Sequence, residues 1–193
     1  MVEMQIETWK RPLGDGAFCG DAAEYWRRED ETVLLIVDGL GHGKQAEIAA
    51  RAAVHYVASH LGEPLPDLFA RCSEAIRYTR GAAMGVARIQ ERTGEMAYAG
   101  VGNTRAMLVG ERNVRFSNTN GIVGAGYDRI WLEKSLVEPG ELVLLFTDGL
   151  KEFIDMSLYE HLFKGALGVL ADRIAREWSL ERDDAALLVY RRE

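Results

Sequence analysis

Residues 32–38 read Thr-Val-Leu-Leu-Ile-Val-Asp, an apolar run rich in β-branched side chains that predicts a buried strand ending in glycines. Strand-like stretches precede it around residues 4–9 and 22–27. Over residues 44–61, Ala46, Ala50, Ala53, Val54, Val57 and Leu61 recur at helical spacing, and Gly62 with Pro64 closes the segment. A second helix, about residues 66–80, has Leu65, Leu68, Phe69, Cys72 and Ile76 along one side. Between Gly81 and Phe146 the turn signals at residues 91–94, 100–103, 110–113 and 139–140 separate short strands, which predicts an antiparallel sheet region. Residues 142–146, Leu-Val-Leu-Leu-Phe, repeat the earlier pattern and run into Thr147-Asp148-Gly149 as the first run ends in Asp38-Gly39. Leu162, Ala166, Leu170, Ile174 and Trp178 then step by four along a last helix, and Asp183-Asp184 leads into a strand over residues 185–190. The order predicts helices packed outside two sheets.

Composition narrows the class. A chain of 193 residues with 48% hydrophobic and 27% charged residues can bury a full core, and no repeat or Gly/Ser-rich linker divides it, so residues 1–193 are expected to form one domain. A formal net charge of −7 argues against nucleic acid, whose binding needs clustered Lys and Arg. Cys19 and Cys72 are too few for a disulfide framework, and the alternating residues 1–10 resemble a strand more than a signal peptide. No apolar run approaches the roughly 20 residues that cross a bilayer. The expectation is a cytoplasmic protein with no membrane partner.

The chemistry lies in the acids. Asp38 and Asp148 each close an apolar strand and precede glycine, Asp21 follows Cys19-Gly20, and Asp183 precedes the final strand. If the four converge, two carboxylates about 5 Å apart repel by roughly 3 kcal/mol at an effective dielectric near 20, so the cluster needs a cation. Hard carboxylate oxygens beside a glycine carbonyl suit Mg²⁺ or Mn²⁺. Any one Asp alone reads first as a turn or helix cap; the set of four points to metal.

In order along the chain, Cys19-Gly20-Asp21, Val37-Asp38-Gly39-Leu40-Gly41-His42-Gly43, Gly100-Val101-Gly102-Asn103-Thr104, Phe146-Thr147-Asp148-Gly149-Leu150 and Arg182-Asp183-Asp184 resemble the motifs of the PPM/PP2C-type phosphatases, above all the bacterial SpoIIE-like branch. The resemblance implies an α+β fold, a four-layer α-β-β-α sandwich of two largely antiparallel sheets, with two Mn²⁺ or Mg²⁺ ions between them. It further implies that Asp38 bridges both ions with help from the Gly39 carbonyl, that Asp148 and Asp183 bind one ion, and that Asp21 lies near the other. Catalysis in such a family is hydrolysis of phosphoserine or phosphothreonine by a metal-activated water. Glu152, one helical turn beyond Asp148, is similar in place to a ligand of a further ion, and reads equally as a solvated first-turn acid. The family's Ser or Thr two residues beyond Asp184 is here Ala186.

Other residues carry two readings each. His42 is either a proton donor or phosphate contact, or a loop residue; Lys44 and Arg80 either hold phosphate or stay solvated; Asn103 reads as a hairpin turn near the metal site. Gly39 to Lys44 is not a P-loop, because Gln45 follows the lysine and the upstream glycine is missing. A silent phosphatase-fold module that binds phosphoproteins without turnover is the competing reading, and retention of the four aspartates speaks against it. Because the catalytic motifs fill the chain, it resembles the stand-alone phosphatases of the bacterial stressosome, which implies a phosphorylated STAS-domain protein as partner.

Overall fold

The structure, a computed structural model, describes residues 6–14 and 16–193. Met4 and Gln5, the start of the predicted opening strand, lie outside the described residues. The chain begins with β1 (Ile6–Arg11), β2 (Asp21–Arg28) and β3 (Glu31–Gly39), followed by α1 (Lys44–Ser59) and α2 (Leu65–Ile76). A run of strands follows: β4 (Ala82–Gln90), β5 (Glu95–Val101), β6 (Arg105–Val109), β7 (Val114–Phe116), β8 (Gly121–Ile122), β9 (Gly126–Tyr127), β10 (Glu133–Leu136) and β11 (Leu142–Phe146). A 3₁₀ segment (Met156–Leu162), α3 (Leu167–Trp178) and β12 (Ala185–Arg191) complete it.

One sheet has the order β1-β12-β11-β6-β7, the other β10-β5-β4-β3-β2, and β8-β9 forms a small ribbon. Every ladder between named strands is antiparallel. Alternation within the apolar runs builds the layers. Val33, Leu35 and Val37 of β3 pack against α1 and α2 through Ala53, Val57, Leu68 and Phe69. Leu34 and Ile36 point the other way, to Leu108, Val143, Leu145 and Leu188 of the facing sheet. On the far side Leu144, Phe146 and Leu187 meet Leu170 and Ile174 of α3. A strand covered on both faces has no solvent side to mark with polar residues, which is why β3, β11 and β12 read as continuous hydrophobic stretches. The result is the α-β-β-α sandwich that the resemblance implied.

Two helix boundaries differ from the sequence reading by more than two residues. Leu162 belongs to the 3₁₀ segment and α3 starts only at Leu167, because Ala166 takes extended angles (φ −62°, ψ 122°) and breaks the helix. Leu162 still packs against the same cluster, so the step of four recorded burial and not one continuous helix. α2 stops at Ile76, where the Thr79 hydroxyl donates to the Ile76 carbonyl at 2.7 Å. Among the described residues no helix is long and apolar enough to cross a membrane.

Candidate metal centre

Antiparallel pairing brings the start of one strand beside the end of its neighbour. Thus Asp21, the first residue of β2, sits in register with Asp38 near the end of β3, and Asp38 pairs with Ala83 of β4 on its other side. In the facing sheet Phe146, at the end of β11, pairs with Leu187 of β12, so Asp148 just past β11 and Asp183 just before β12 emerge together. The four aspartates collect at one edge of the sandwich. Asp38, Asp148 and Asp183 line a cleft of about 710 Å³ with His42, Asn103 and Arg182 among the other walls. Asp21, only 4% exposed, lies behind Asp38 and does not line it.

The charges strain this arrangement. Burial, and then the charge of Asp38, push the Asp21 carboxyl up to about 8, with the Thr147 hydroxyl acting against the rise. Burial, followed by the charges of Asp148 and Asp183, raises Asp38 to about 7. Asp183 is raised as well, first by burial and then by Asp148. Asp21 Oδ2 is buried with no hydrogen-bond partner, and no ion pair among the described residues joins any of the four aspartates to a basic side chain. Carboxylates so placed keep their charge only at a cost that a cation removes. Among the described residues no three His, Cys, Asp or Glu side chains close around one point, so the site is an open acidic cluster. An orphaned buried oxygen and uncompensated hard ligands make the donor set a fit for Mg²⁺ or Mn²⁺.

The surrounding frame holds the aspartates in place. Asn103 Nδ2 donates to Asp148 Oδ2 at 2.6 Å, and the same amide lowers Asp38 against the effect of its acidic neighbours. Its turn reading was thus incomplete: it occupies the turn after β5 and clamps the acidic pair. Asp184, 2% exposed, accepts from the backbone N–H of Leu13 at 2.7 Å and of Gly20 at 2.8 Å, while its own N–H donates to Asp183 Oδ1 at 2.9 Å. It ties the segment before Asp21 to the segment carrying Asp183. Both Asp-Gly pairs prove to be close approaches of backbone. A Cβ on Gly39 would fall 2.1 Å from the Ala46 carbonyl oxygen of α1, and one on Gly149 would fall 1.8 Å from the Asp184 carbonyl oxygen.

The structure does not bring Glu152 to this cluster. Residues 149–155 are not helical, so it does not stand one helical turn beyond Asp148; it is exposed in a neighbouring pocket, where its carboxylate lies 3.9 Å from Arg105 Nη2. His42 is exposed on the cleft wall, and Arg80, also exposed, reaches toward Gly41. Arg105 and Arg182 line the cleft, yet in the sequence Arg182 figured only as part of a motif and Arg105 not at all. Their adjacency to the acidic edge depends on which strand ends meet.

The raised values fix how the metal-free protein responds to pH. An unfolded chain gives up the Asp21 and Asp38 protons near the ordinary 3.8, whereas the folded chain holds them to about 8 and 7. This contribution to stability is therefore full below pH 4 and lost as pH rises through 7 to 8. Chelator-treated protein is expected to lose roughly 5 °C or more of Tm between pH 5 and pH 8.5, with Mn²⁺ abolishing most of the slope. A flat profile in chelator would contradict the charge strain.

Two antiparallel sheets between helical layers, with aspartates gathered at one edge, are the architecture of PP2C-type phosphatases. The chain belongs to the family described as Stage II sporulation protein E (SpoIIE), whose pattern matches residues 28–193. Among relatives, the phosphoserine phosphatase RsbX of Bacillus subtilis (strain 168) is 25% identical over 151 residues, which are 77% of this chain and 74% of that protein. A solved structure from work on the bacterial stressosome as a modular system adapted to control secondary messenger signaling superposes with a TM-score of 0.91 at 27% identity, covering 97% of this chain and 98% of the other. RsbX in complex with magnesium superposes with a TM-score of 0.85 at 21% identity, covering 97% and 94% of the two chains.

Proposed function

We infer that this chain is a protein serine/threonine phosphatase of the PP2C type, that it depends on two Mn²⁺ or Mg²⁺ ions, and that it acts in the cytoplasm on a phosphorylated STAS-domain protein of a bacterial stress pathway. The observation that carries the metal dependence is Asp21 Oδ2, buried without a hydrogen-bond partner beside three further aspartates, none of which forms an ion pair with a basic side chain among the described residues. Asp38, Asp148 and Asp183 would hold the ions from the cleft, Asp21 from behind, and Gly39 through its carbonyl. The chemistry such ions supply is a water acidified toward neutral pH and neutralisation of phosphoryl charge.

The chain's own groups do the rest. Asn103 and Asp184 keep the carboxylates in position, and Arg105 and Arg182 offer charge to the phosphoryl oxygens at the cleft mouth. His42 stands on the cleft wall, where it can deliver a proton to the departing serine alkoxide. The substrate assignment is supported by likeness to RsbX and to a stressosome structure. A panel of phosphorylated STAS domains, assayed with Mn²⁺ and with chelator, tests it. Metal-dependent release of phosphate from at least one member is expected. Cleavage of other phosphoproteins alone would reject the partner, and tight phosphoprotein binding without turnover in any metal would make the chain a silent module.

A further inference from the structure

The acidic cleft does not end at Arg105. On the other side of that side chain lies a second hollow of about 410 Å³, which shares Gly102 and Arg105 with the cleft and is closed by Arg115, Phe116, Glu152 and Phe153. Phe153 is 67% exposed, so its ring stands open to an incoming chain at the rim of the hollow. The Arg115 guanidinium lies 4.7 Å from its ring centroid, and Arg115 Nη1 donates to the Glu152 carbonyl oxygen at 2.9 Å. This brace holds the ring in place from a neighbouring strand. Among the residues lining the hollow, Arg105 and Arg115 outnumber the single acid Glu152, whose carboxylate is only loosely paired with Arg105 at 3.9 Å, so the lining is net positive beside an apolar ring.

We propose that this hollow seats the substrate's chain beside the phosphoserine, and that it selects a segment carrying an acidic residue next to a large apolar one. The inference rests on the phosphatase reading above and deepens it. A phosphoserine whose phosphate entered the cleft would leave its backbone at the mouth, and Arg105, which lines both hollows, would then face the residues that follow it. Past that rim the apolar side chain meets Phe153, and the carboxylate meets Arg115 and Arg105. Such a neighbour fixes the phosphoserine's approach without touching the reacting atoms. Phe153 and Arg115 are therefore specificity residues, not catalytic ones.

The test uses the full chain with Mn²⁺ and three probes: p-nitrophenyl phosphate, phosphoserine peptides with an Asp-Phe pair two to four residues to either side, and the same peptides with Ala-Ala. The wild type is expected to prefer the best Asp-Phe peptide by tenfold or more in kcat/KM. Phe153→Ala and Arg115→Ala, each at an exposed side chain, are expected to remove that preference through KM while p-nitrophenyl phosphate turnover changes less than twofold. Equal treatment of both peptides by the wild type, or an unchanged preference in both variants, overturns the docking site and leaves the phosphatase reading standing. Absence of turnover on every probe in the wild type sinks that reading and this one together.

Discussion

Asp38→Asn is expected to lower kcat by about 10³-fold or more, a loss on the order of 4 kcal/mol of transition-state stabilisation. Asp38 is linked to every other member of the cluster: it pairs in register with Asp21, lines the cleft with Asp148 and Asp183, and feels the charge of both. Replacing it with an amide removes the charge around which the site is built and leaves the fold's shape alone. The same change should act in the opposite direction on the metal-free protein. Because burial and its acidic neighbours raise Asp38 to about 7, its ionised form opposes folding above that pH. Asp38→Asn is thus expected to raise Tm in chelator at pH 8 while erasing the Tm gain that Mn²⁺ gives the wild type. Calorimetry with and without Mn²⁺ reads both effects, and a variant destabilised in chelator would show that the Asp38 carboxylate stabilises the metal-free fold, contrary to this expectation.

Gly149→Ala is expected to be the most damaging single methyl addition near the site. Its Cβ would stand 1.8 Å from the Asp184 carbonyl oxygen and 2.8 Å from the Ala185 Cα, and backbone cannot swing aside as a side chain can. Separating the end of β11 from the start of β12 should cost about 3 kcal/mol or more, which lowers Tm by roughly 6–12 °C in a domain of this size. Asp183 and Asp184 move with β12, so kcat should also fall by about 10²-fold, the order expected of a misplacement near 1 Å. Gly165→Ala serves as the comparison, since its nearest neighbour, the Leu162 carbonyl oxygen, would be 3.4 Å away, an ordinary contact. Denaturation and steady-state assays on the two variants separate backbone crowding from a general intolerance of alanine.

The sequence disclosed the strand ends because the covering layers leave a plain record: strands buried on both faces become unbroken apolar runs, and a charged residue at their ends is conspicuous. Asp38 and Asp148 were legible for that reason. Their meeting was not, since it depends on the Asp21–Asp38 register and on the pairing of β11 with β12, neither of which any local pattern encodes. Asp184 stood out in the sequence only as the end of the Arg182-Asp183-Asp184 motif, yet it holds two backbone N–H groups from a segment over 160 positions away. Asn103 resembled a hairpin turn and occupies one, but its contact with Asp148 follows from the packing of two sheets. Glu152 failed for the converse reason: a helical spacing was read into residues that the chain keeps non-helical up to Met156. The glycines after Asp38 and Asp148 suggested free backbone for a cation, and the structure gives them a further duty, the passage of another segment's carbonyl.

The proposed chemistry requires divalent ions at the acidic edge. Anomalous scattering from crystals grown with Mn²⁺ tests this directly: manganese peaks are expected in the cleft in contact with Asp38, with Asp148 and Asp183 turned inward to meet them. Well-ordered crystals of active protein with that edge free of manganese, or with the metal bound only elsewhere, would contradict it.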